Sequence, residues 1–478
     1  MQKQYLIKKL KRFIIIRPFT KLRGKIYSFH PPLNLAILAA FIEKEGFETR
    51  IFDYESEYYD KNILLNRIKS YSPVAVGLTA YTNTINNAHV IAGDIKRDFP
   101  ELPLILGGPH STAIPCETLE EFPFFDIVVI GEGEATLLCL LNSFLDNTPI
   151  QNVKGIAYRK NGGIILGHAR ELISDLDTIP FPKREMLITS NSDRHFSRGI
   201  LMGNKYIASM YTSRGCAFNC IFCAVKSSYS GDLKRVRFRS VENVNEEIAL
   251  CAKKYDYRHI CFQDDSFTLN KSRFFPIADK LKELHLTWNC DVRANTIDRD
   301  TLLYMKKCGC VKVSIGVESG SQKILDLIKK KITVAQVKNA FRLCHEVGIK
   351  IKEGTFIIGS HPDETIEDIE KSMALIREIK PDFVSLAIGV PYPGTELRRI
   401  MQERNLIESN EWQRYSLSDI PVWHTEYFSA EQLLKLQKKL VRYVYLTPQY
   451  FLKSINNPKL LLHLVRAGFQ FFFLRPKA

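Results

Sequence analysis

The sequence predicts two α/β units in series, a doubly wound parallel sheet and then a partial (β/α)6 barrel, followed by a helical C-terminal extension. Three observations predict this. Short apolar runs alternate five times with helical patterns over residues 12–145. A second alternating series, with six candidate strands, starts near residue 206. Residues 429–478 keep helical periodicity, with breaks near Pro448 and Pro458. The 478 residues, 45% of them apolar, are enough for two or three cores. The divisions read as 1–150 for the first unit, 151–200 for a hairpin and linker, 201–410 for the barrel and 411–478 for the extension.

Taken in order, RFIII (12–16) reads as a strand. NLAILAAFIEKEG (34–46) is an amphipathic helix that Gly46 stops. FETRIFD (47–53) is a strand, KNILLNRIKSY (61–71) a helix and VAVGLT (74–79) a buried strand. TINNAHVIAGDIKRDF (84–99) is a helix ended by Pro100. LPLILGG (102–108) and FDIVVIGEGE (125–134) run from strand into glycine loop. Ligands of such sheets bind outside the carboxyl ends of the strands. Those ends carry Thr79, Gly107-Gly108-Pro109-His110 and Gly131-Glu132-Gly133-Glu134. NVKGIAYRKNGGIILG (152–167) reads as a hairpin turning at Asn161-Gly162, and SDLDTIPFPKRE (174–185) as a linker. The second series has strands at YIASMY (206–211), HICFQ (259–263), LTWNCD (286–291), VKVSIG (311–316), IKEGTFIIG (351–359) and FVSLAIG (383–389). Barrel chemistry sits at the C-terminal ends of the strands.

Composition narrows the function classes. No run of 18 apolar residues occurs, so no transmembrane helix is expected. The start, MQKQYLIKKLKRFIIIRPF, is basic and then briefly apolar, without a signal-peptide cleavage site. The 11 cysteines, an odd number, fit a reducing compartment better than a disulfide framework. A soluble, cytoplasmic protein is therefore expected. Net charge is +15, but it lies at the ends. The first 25 residues hold nine Lys/Arg and no acid; the last 50 hold nine Lys/Arg and only Glu431. The middle is close to neutral, which argues against a nucleic-acid groove and is compatible with ends that touch an anionic membrane surface.

One cysteine group is tightly spaced. It stands as Thr212-Ser213-Arg214-Gly215-Cys216-Ala217-Phe218-Asn219-Cys220-Ile221-Phe222-Cys223, on the loop after the first barrel strand. Cys thiolates hold iron–sulfur clusters. Three on one short loop reach three irons of a 4Fe–4S cube and leave the fourth open to a chelating ligand. A zinc site would need a fourth ligand, and the usual second CxxC pair is absent. The remaining alternative is incidental burial, the reading given to Cys308 and Cys310.

The triplet, its TSRGC lead and Phe222 before the last cysteine resemble the radical S-adenosylmethionine (SAM) superfamily. In that family the open iron chelates the methionine end of SAM, and the resulting 5′-deoxyadenosyl radical abstracts hydrogen from an unactivated carbon. The resemblance implies SAM contacts at Phe222, at Asp264 or Asp265 after the second strand, and at Ser314 and Glu318 along and after the fourth, with Arg293 and Lys330 as carboxylate partners. N-capping is the structural alternative for Asp264 and Asp265. An electron donor of the flavodoxin or ferredoxin type is also implied. Pro391-Tyr392-Pro393-Gly394-Thr395 follows the sixth strand, to close the barrel or line a substrate pocket.

The first unit resembles the flavodoxin-like cobalamin-binding domain fused to many such enzymes. The matching pieces are Pro32-Leu33-Asn34-Leu35, Gly77-Leu78-Thr79-Ala80-Tyr81, Gly107-Gly108-Pro109-His110 and Gly131-Glu132-Gly133-Glu134. Together the resemblance covers about residues 10–410 and points to the class B group. Its members include carbon methyltransferases and the anaerobic magnesium-protoporphyrin ester cyclase. It implies a 4Fe–4S cluster, SAM and cobalamin as cofactors. Thr79, Gly107, Gly108, Pro109, His110, Gly131, Glu132 and Gly133 become the cobalamin contacts. The DxHxxG sequence that supplies a lower cobalt ligand elsewhere is absent, so binding would rest on backbone and shape.

Carbon methylation is the leading reading, and oxidative cyclisation or rearrangement on the same scaffold the alternative. A methylthiotransferase would need a second three-cysteine set, but the N-terminal region has only Cys116 and Cys139. A non-enzymatic cobalamin sensor would have no need of the triplet. In the tail, Phe469, Phe471, Phe472 and Phe473 lie beside Arg466, Arg475 and Lys477. They are set either to cap the barrel or to meet the inner face of a membrane, where a lipid substrate would be as natural as a small molecule.

Overall fold

The computed structural model describes residues 10–20, 31–187, 207–227, 236–417 and 420–445. The first unit runs β1 (Arg12–Arg17), α1 (Leu33–Glu43), β2 (Glu48–Asp53), α2 (Lys61–Tyr71), β3 (Ala75–Thr79), α3 (Ile85–Asp98) and β4 (Leu104–Gly107). It continues through α4 (Pro109–Ala113), α5 (Pro115–Glu121), β5 (Ile127–Val129), α6 (Gly133–Asp146), β6 (Ile156–Lys160) and β7 (Gly163–Leu166). Alternation along β1 fixes which layer covers which face. Ile14 and Ile16 join Leu64, Ile68 and Ile91 in one core, while Phe13 and Ile15 join Leu35, Ala39, Leu137 and Leu140 in the other. The local signals act as expected: Asp60 caps α2 by accepting from the Ile63 amide, and Ser72 ends that helix at φ +50°.

The strand order is β2-β1-β3-β4-β5-β6-β7. The first five are parallel in the flavodoxin-like order. The hairpin, expected between the domains, instead pairs antiparallel on β5 and forms the far edge of this sheet. Its turn is the expected one, with Asn161 at φ +52° and Gly162 at +78°.

The barrel consists of β8 (Ile207–Met210), the short β9 (Ser213–Arg214) and β10 (Arg237–Phe238), α7 (Val241–Lys253), β11 (His259–Phe262), α8 (Lys271–Glu283), β12 (Thr287–Val292) and α9 (Arg299–Lys307). It goes on through β13 (Cys310–Glu318), α10 (Gln322–Leu327), α11 (Val334–Val347), β14 (Ile351–Ile358), α12 (Ile366–Ile379), β15 (Phe383–Ile388) and α13 (Glu396–Glu403). Six parallel strands follow chain order, β8-β11-β12-β13-β14-β15, and the first does not pair with the last. This is the open, six-unit barrel read from the sequence. Helix α14 (Ala430–Tyr445) covers the open β15 edge. There the Tyr445 hydroxyl accepts from the Val384 amide at 3.0 Å and donates to its carbonyl at 2.8 Å, standing in for a neighbouring strand. The basic and aromatic residues of the tail lie outside the described residues, so neither expectation for them is tested. Among the described residues no helix is long and apolar enough to cross a membrane.

The barrel strands face apolar side chains toward the helices and polar ones toward the interior. Phe262, Phe267, Phe274 and Trp288 form an aromatic cluster on the helix side. On the other face His259 Nδ1 meets Thr287 Oγ1 at 2.8 Å and Nε2 meets Asn289 Oδ1 at 2.7 Å. The Asn289 amide also donates to Cys261 Sγ at 3.3 Å. Burial lowers His259 from 6.5 to about 4. Since the unfolded chain takes up that proton first, His259 contributes stability above pH 6.5 that is lost as pH falls toward 4. The loss is ~1.4 kcal/mol per pH unit. Urea unfolding followed at pH 7, 6, 5 and 4 should show this slope, and His259→Gln should flatten it.

Candidate functional site

The three cysteines lie on the loop that leaves β8, at the C-terminal mouth of the barrel. Gly215, at φ +90°, turns the chain into the loop. Cys216, Cys220 and Cys223 are all partly buried. The loop is pinned at its centre, where the Ile221 amide donates to Ile328 O at 3.1 Å and the Leu397 amide donates to Ile221 O at 2.9 Å. Among the described residues no group of three His, Cys, Asp or Glu side chains converges on a single metal ion. A cube binds three thiolates at three separate irons, so a set that does not converge is what it needs. Burial pushes the Cys223 thiol up to about 12 and raises that of Cys216. Arg293 stacks on the Phe218 ring 3.5 Å from its centroid, and its Nη1 lies 3.9 Å from Cys220 Sγ. This places positive charge where thiolates would form.

Asp264 is what holds the start of the loop. Its buried carboxylate accepts from the Thr212 amide at 3.1 Å, from the Thr212 hydroxyl at 2.8 Å and from the Ser213 hydroxyl. Arg273 completes the knot, donating to Thr212 Oγ1 at 3.0 Å and to Thr212 O at 2.8 Å. Asp264 is thus fully engaged by protein, and the side chain of the pair left open is Asp265. That carboxyl lines a cavity of about 480 Å³ with Gln263, Ser213, Ala224, Tyr211, Tyr392 and Pro393. Partial desolvation, then the charges of Asp264 and Asp291, raise it to about 6.

Glu318 sits at φ +65°, after a register shift in β13, and pairs with Lys330 at 2.6 Å; both are buried. Arg293 also donates to Lys330 O. A Cβ on Gly316 would lie 2.7 Å from Lys330 Nζ and 2.9 Å from Glu318 Oε1, so a larger residue there would shift the pair. Ser314 donates to Glu353 at 2.9 Å. Phe222 is partly buried against the main core. The sequence paired Arg293 with Lys330 as carboxylate partners and set Glu318 apart; the structure joins all three into one group beside Cys220.

The carboxyl ends of the first sheet face the same mouth. A cavity of about 330 Å³ is bounded by Thr79, Gly107, Gly108, Pro109, Gly131, Glu132 and Gly133, and reaches between α1 and α6 to Phe13 and Ile15. A Cβ on Gly107 would meet nothing within 4 Å, whereas one on Gly108, at φ +104°, would lie 2.7 Å from Ala80 O. Tyr81, Pro109, Tyr211 and Arg214 line both this cavity and the one at the barrel mouth, so the two are adjacent and share a wall.

His110 departs from the expected set. It is 1% exposed and is absent from the cavity wall; its ring lies edge-on to Trp412 at 5.0 Å and its Nδ1 is 3.3 Å from Thr82 Oγ1. Helix α4, which begins at Pro109, carries it into the core. Burial lowers it to about 3 and keeps it neutral. Glu132 departs in a different way. It bounds the cavity, but its carboxylate is taken by Arg214 Nη1 at 2.8 Å, by Arg237 Nη2 at 2.9 Å and by the Ile173 amide at 2.8 Å. Burial would raise its pKa, but the two guanidiniums hold it below the ordinary carboxylate range. Glu134 adds a 2.5 Å bond to Arg214. Sequence reasoning missed Arg214 and Arg237. Arg214 stands inside the TSRGC lead, which was a usable signal; nothing local marks Arg237, which lies opposite it across the β9–β10 pair.

Comparison with known proteins agrees with this geometry. Residues 210–376 match the Radical SAM superfamily and residues 20–141 match the B12 binding domain. An uncharacterized methyltransferase of Pyrococcus horikoshii is 33% identical over 94% of this chain and 95% of its own. The anaerobic magnesium-protoporphyrin IX monomethyl ester cyclase of Rubrivivax gelatinosus is 28% identical over 81% of this chain and 68% of its own. Among solved structures, the cobalamin-dependent S-adenosylmethionine radical enzyme OxsB, with aqua-cobalamin and S-adenosylmethionine bound, has the same fold. Its TM-score is 0.74 at 18% identity over 96% of this chain and 71% of that one. The radical S-adenosylmethionine methyltransferase TsrM of Kitasatospora setae gives 0.67 at 17%, over 83% and 75%.

Fold and site together define a radical SAM enzyme with an N-terminal B12-binding domain. The chain belongs to the cobalamin-dependent radical SAM family that includes the Pyrococcus methyltransferase. Its cofactors are a 4Fe–4S cluster, SAM and cobalamin, and it needs a reductant and a small-molecule substrate.

Asp264→Ala would strip the acceptor from three buried donors at the root of the cysteine loop. It should lower stability by at least ~1–3 kcal/mol, read as the urea midpoint. Asp264→Asn, which keeps an acceptor, should lose less.

Proposed function

We propose that the protein transfers a methyl group to an unactivated carbon of a small molecule bound where its two cavities meet. The observation that supports this most is their adjacency: the cavity at the strand ends of the B12-binding domain shares Tyr81, Pro109, Tyr211 and Arg214 with the one at the barrel mouth beside the cysteine loop. When bound, the cluster with SAM supplies a 5′-deoxyadenosyl radical, and cobalamin carries the methyl group.

The rest is done by side chains of this chain. Cys216, Cys220 and Cys223 would ligate three irons, with the Arg293 guanidinium offsetting thiolate charge at Cys220. The open face of Gly107 and the turn at Gly108 let cobalamin approach the backbone of β4. Among the described residues of the cavity wall there is no histidine, and the contact they offer is one of shape and amides. Asp265 and Gln263 are among the polar groups of the barrel mouth that could orient SAM or substrate, and Tyr81, Tyr211 and Tyr392 form part of its wall. Glu318, paired with Lys330 at 2.6 Å, would serve as the SAM contact after β13. A flavodoxin- or ferredoxin-type donor would supply the electron. Methyl transfer is favoured over oxidative cyclisation because the methyltransferase relative matches 94% of this chain at 33% identity, against 81% at 28% for the cyclase.

Anaerobic reconstitution with iron, sulfide and hydroxocobalamin, followed by SAM and dithionite, tests this reading. The wild type should retain cobalamin and form 5′-deoxyadenosine. Cys220→Ala should retain cobalamin but form no 5′-deoxyadenosine. Gly107→Leu, whose Cβ would meet nothing within 4 Å, should lose cobalamin while keeping the cluster. Wild-type protein that holds no cobalamin would overturn the reading.

A further inference from the structure

Glu132 faces two ways. The residue, between Gly131 and Gly133, is part of the wall of the cavity of about 330 Å³. Its carboxylate grips the neck of the cysteine loop. That neck is the β9–β10 pair, in which Arg214 and Arg237 are direct cross-strand partners. Arg214 is two residues before Cys216, and Arg237 closes the same segment after Cys223. Like charges opposite each other on a strand pair repel. Here both are neutralised from the other domain: Glu132 takes Arg214 at 2.8 Å and Arg237 at 2.9 and 3.0 Å, and Glu134 takes Arg214 at 2.5 Å. All four side chains are largely buried, so the pairs are little screened by salt. Arg237 also donates to Ile173 O at 2.6 Å, and the Ile173 amide donates to Glu132 at 2.8 Å, closing a ring of contacts around one carboxylate.

We propose that Glu132, with Arg214 and Arg237, is a positioning device that couples the two cofactor sites: filling the cobalamin cavity fixes the Glu132 turn, and through the paired guanidiniums steadies the cysteine loop. The proposal rests on the cobalamin reading above. The 131–134 turn is short and contains glycines on both sides of Glu132, and Gly131 is at φ +76°. Such a turn has freedom to lose when a ligand packs on it. The Glu132 side chain then hands that restriction to the root of the loop. Coupling of this kind is reciprocal, so a filled cluster site also favours a filled cobalamin cavity. Asp264 holds the same root from within the barrel. Glu132 is its counterpart across the domain boundary, and unlike Asp264 it is in contact with a second ligand site.

Amide hydrogen exchange on the oxidised, cluster-loaded protein, with and without hydroxocobalamin, tests this. Residues 107–112 report on cavity filling and residues 216–223 on the loop. In the wild type both segments should slow on adding cobalamin, the loop by roughly fivefold or more, the lower end of ordinary coupling between sites. In Glu132→Gln, residues 107–112 should still slow and residues 216–223 should not. If that variant fails to hold its cluster, Arg237→Lys serves instead, since it keeps the charge but loses the planar fork. Equal loop protection in wild type and variant would overturn the proposal. So would a wild-type loop that does not respond while residues 107–112 are protected. Absence of protection at residues 107–112 in the wild type would instead overturn the cobalamin reading beneath it.

Discussion

The arrangement of the site depends on one ionic contact, the grip of Glu132 and Glu134 on Arg214 and Arg237. The two α/β units share one buried apolar cluster, which runs from Ile14 and Leu78 in the first to Met210 and Phe262 in the second. What neither can do alone is bring the carboxyl ends of two separate parallel sheets to face one space. The clamp does this at the β5–α6 turn, beside the glycines that bound one cavity and next to the cysteines at the mouth of the other. Buried ion pairs contribute little net stability because desolvation opposes the attraction, but removing one partner is costly. They are therefore better suited to specifying a geometry than to strengthening a fold.

A second set of contacts supports the same alignment from the far side. The segment after α13 crosses back to the first unit, where Trp412 Nε1 donates to Glu121 at 2.8 and 2.9 Å and Asn86 donates to Gln413 at 3.0 Å. Arg398 lies over both Trp412 and Tyr415 and donates to Asn410 at 2.8 Å. In the linker, Arg184 is buried against Glu247 at 2.6 Å and donates to Ser209 O at 2.9 Å, which ties the chain between domains to β8 itself. The strand that launches the cysteine loop is thus held by the linker, by α8 through Arg273, and by the loop after β11 through Asp264.

The architecture was legible in the sequence because it is written in local signals. All eleven parallel strands read from apolar runs are strands, and α2 spans the predicted 61–71. The cysteine triplet was legible because its ligands are close together in the chain. What was not legible is the direction of single side chains near the site. Of the adjacent acids after β11, the sequence could not tell that Asp264 would be used up by Thr212 and Ser213 and that Asp265 would be left facing the cavity. The GEGE turn reads as a ligand loop and bounds the cavity, but the arginine partners of its carboxylates lie 80 to 105 residues away. Membership of the hairpin in the first sheet was hidden for the same reason, since its pairing with β5 is a long-range fact that the turn residues do not carry.

His110 carries this point to the chemistry of the cavity. It follows two glycines and a proline at a strand end, where a cofactor ligand would be sought. Pro109 instead starts a five-residue helix, and the imidazole passes behind the cavity wall into contact with Trp412 and Phe122. Burial and the nearby Arg398 keep it neutral. It therefore does two structural things, filling a domain boundary and carrying no charge into it. The cavity in front has an unobstructed backbone at Gly107. Close approach to main chain is the contact that the described residues there would offer a cobalamin, in keeping with the missing DxHxxG sequence.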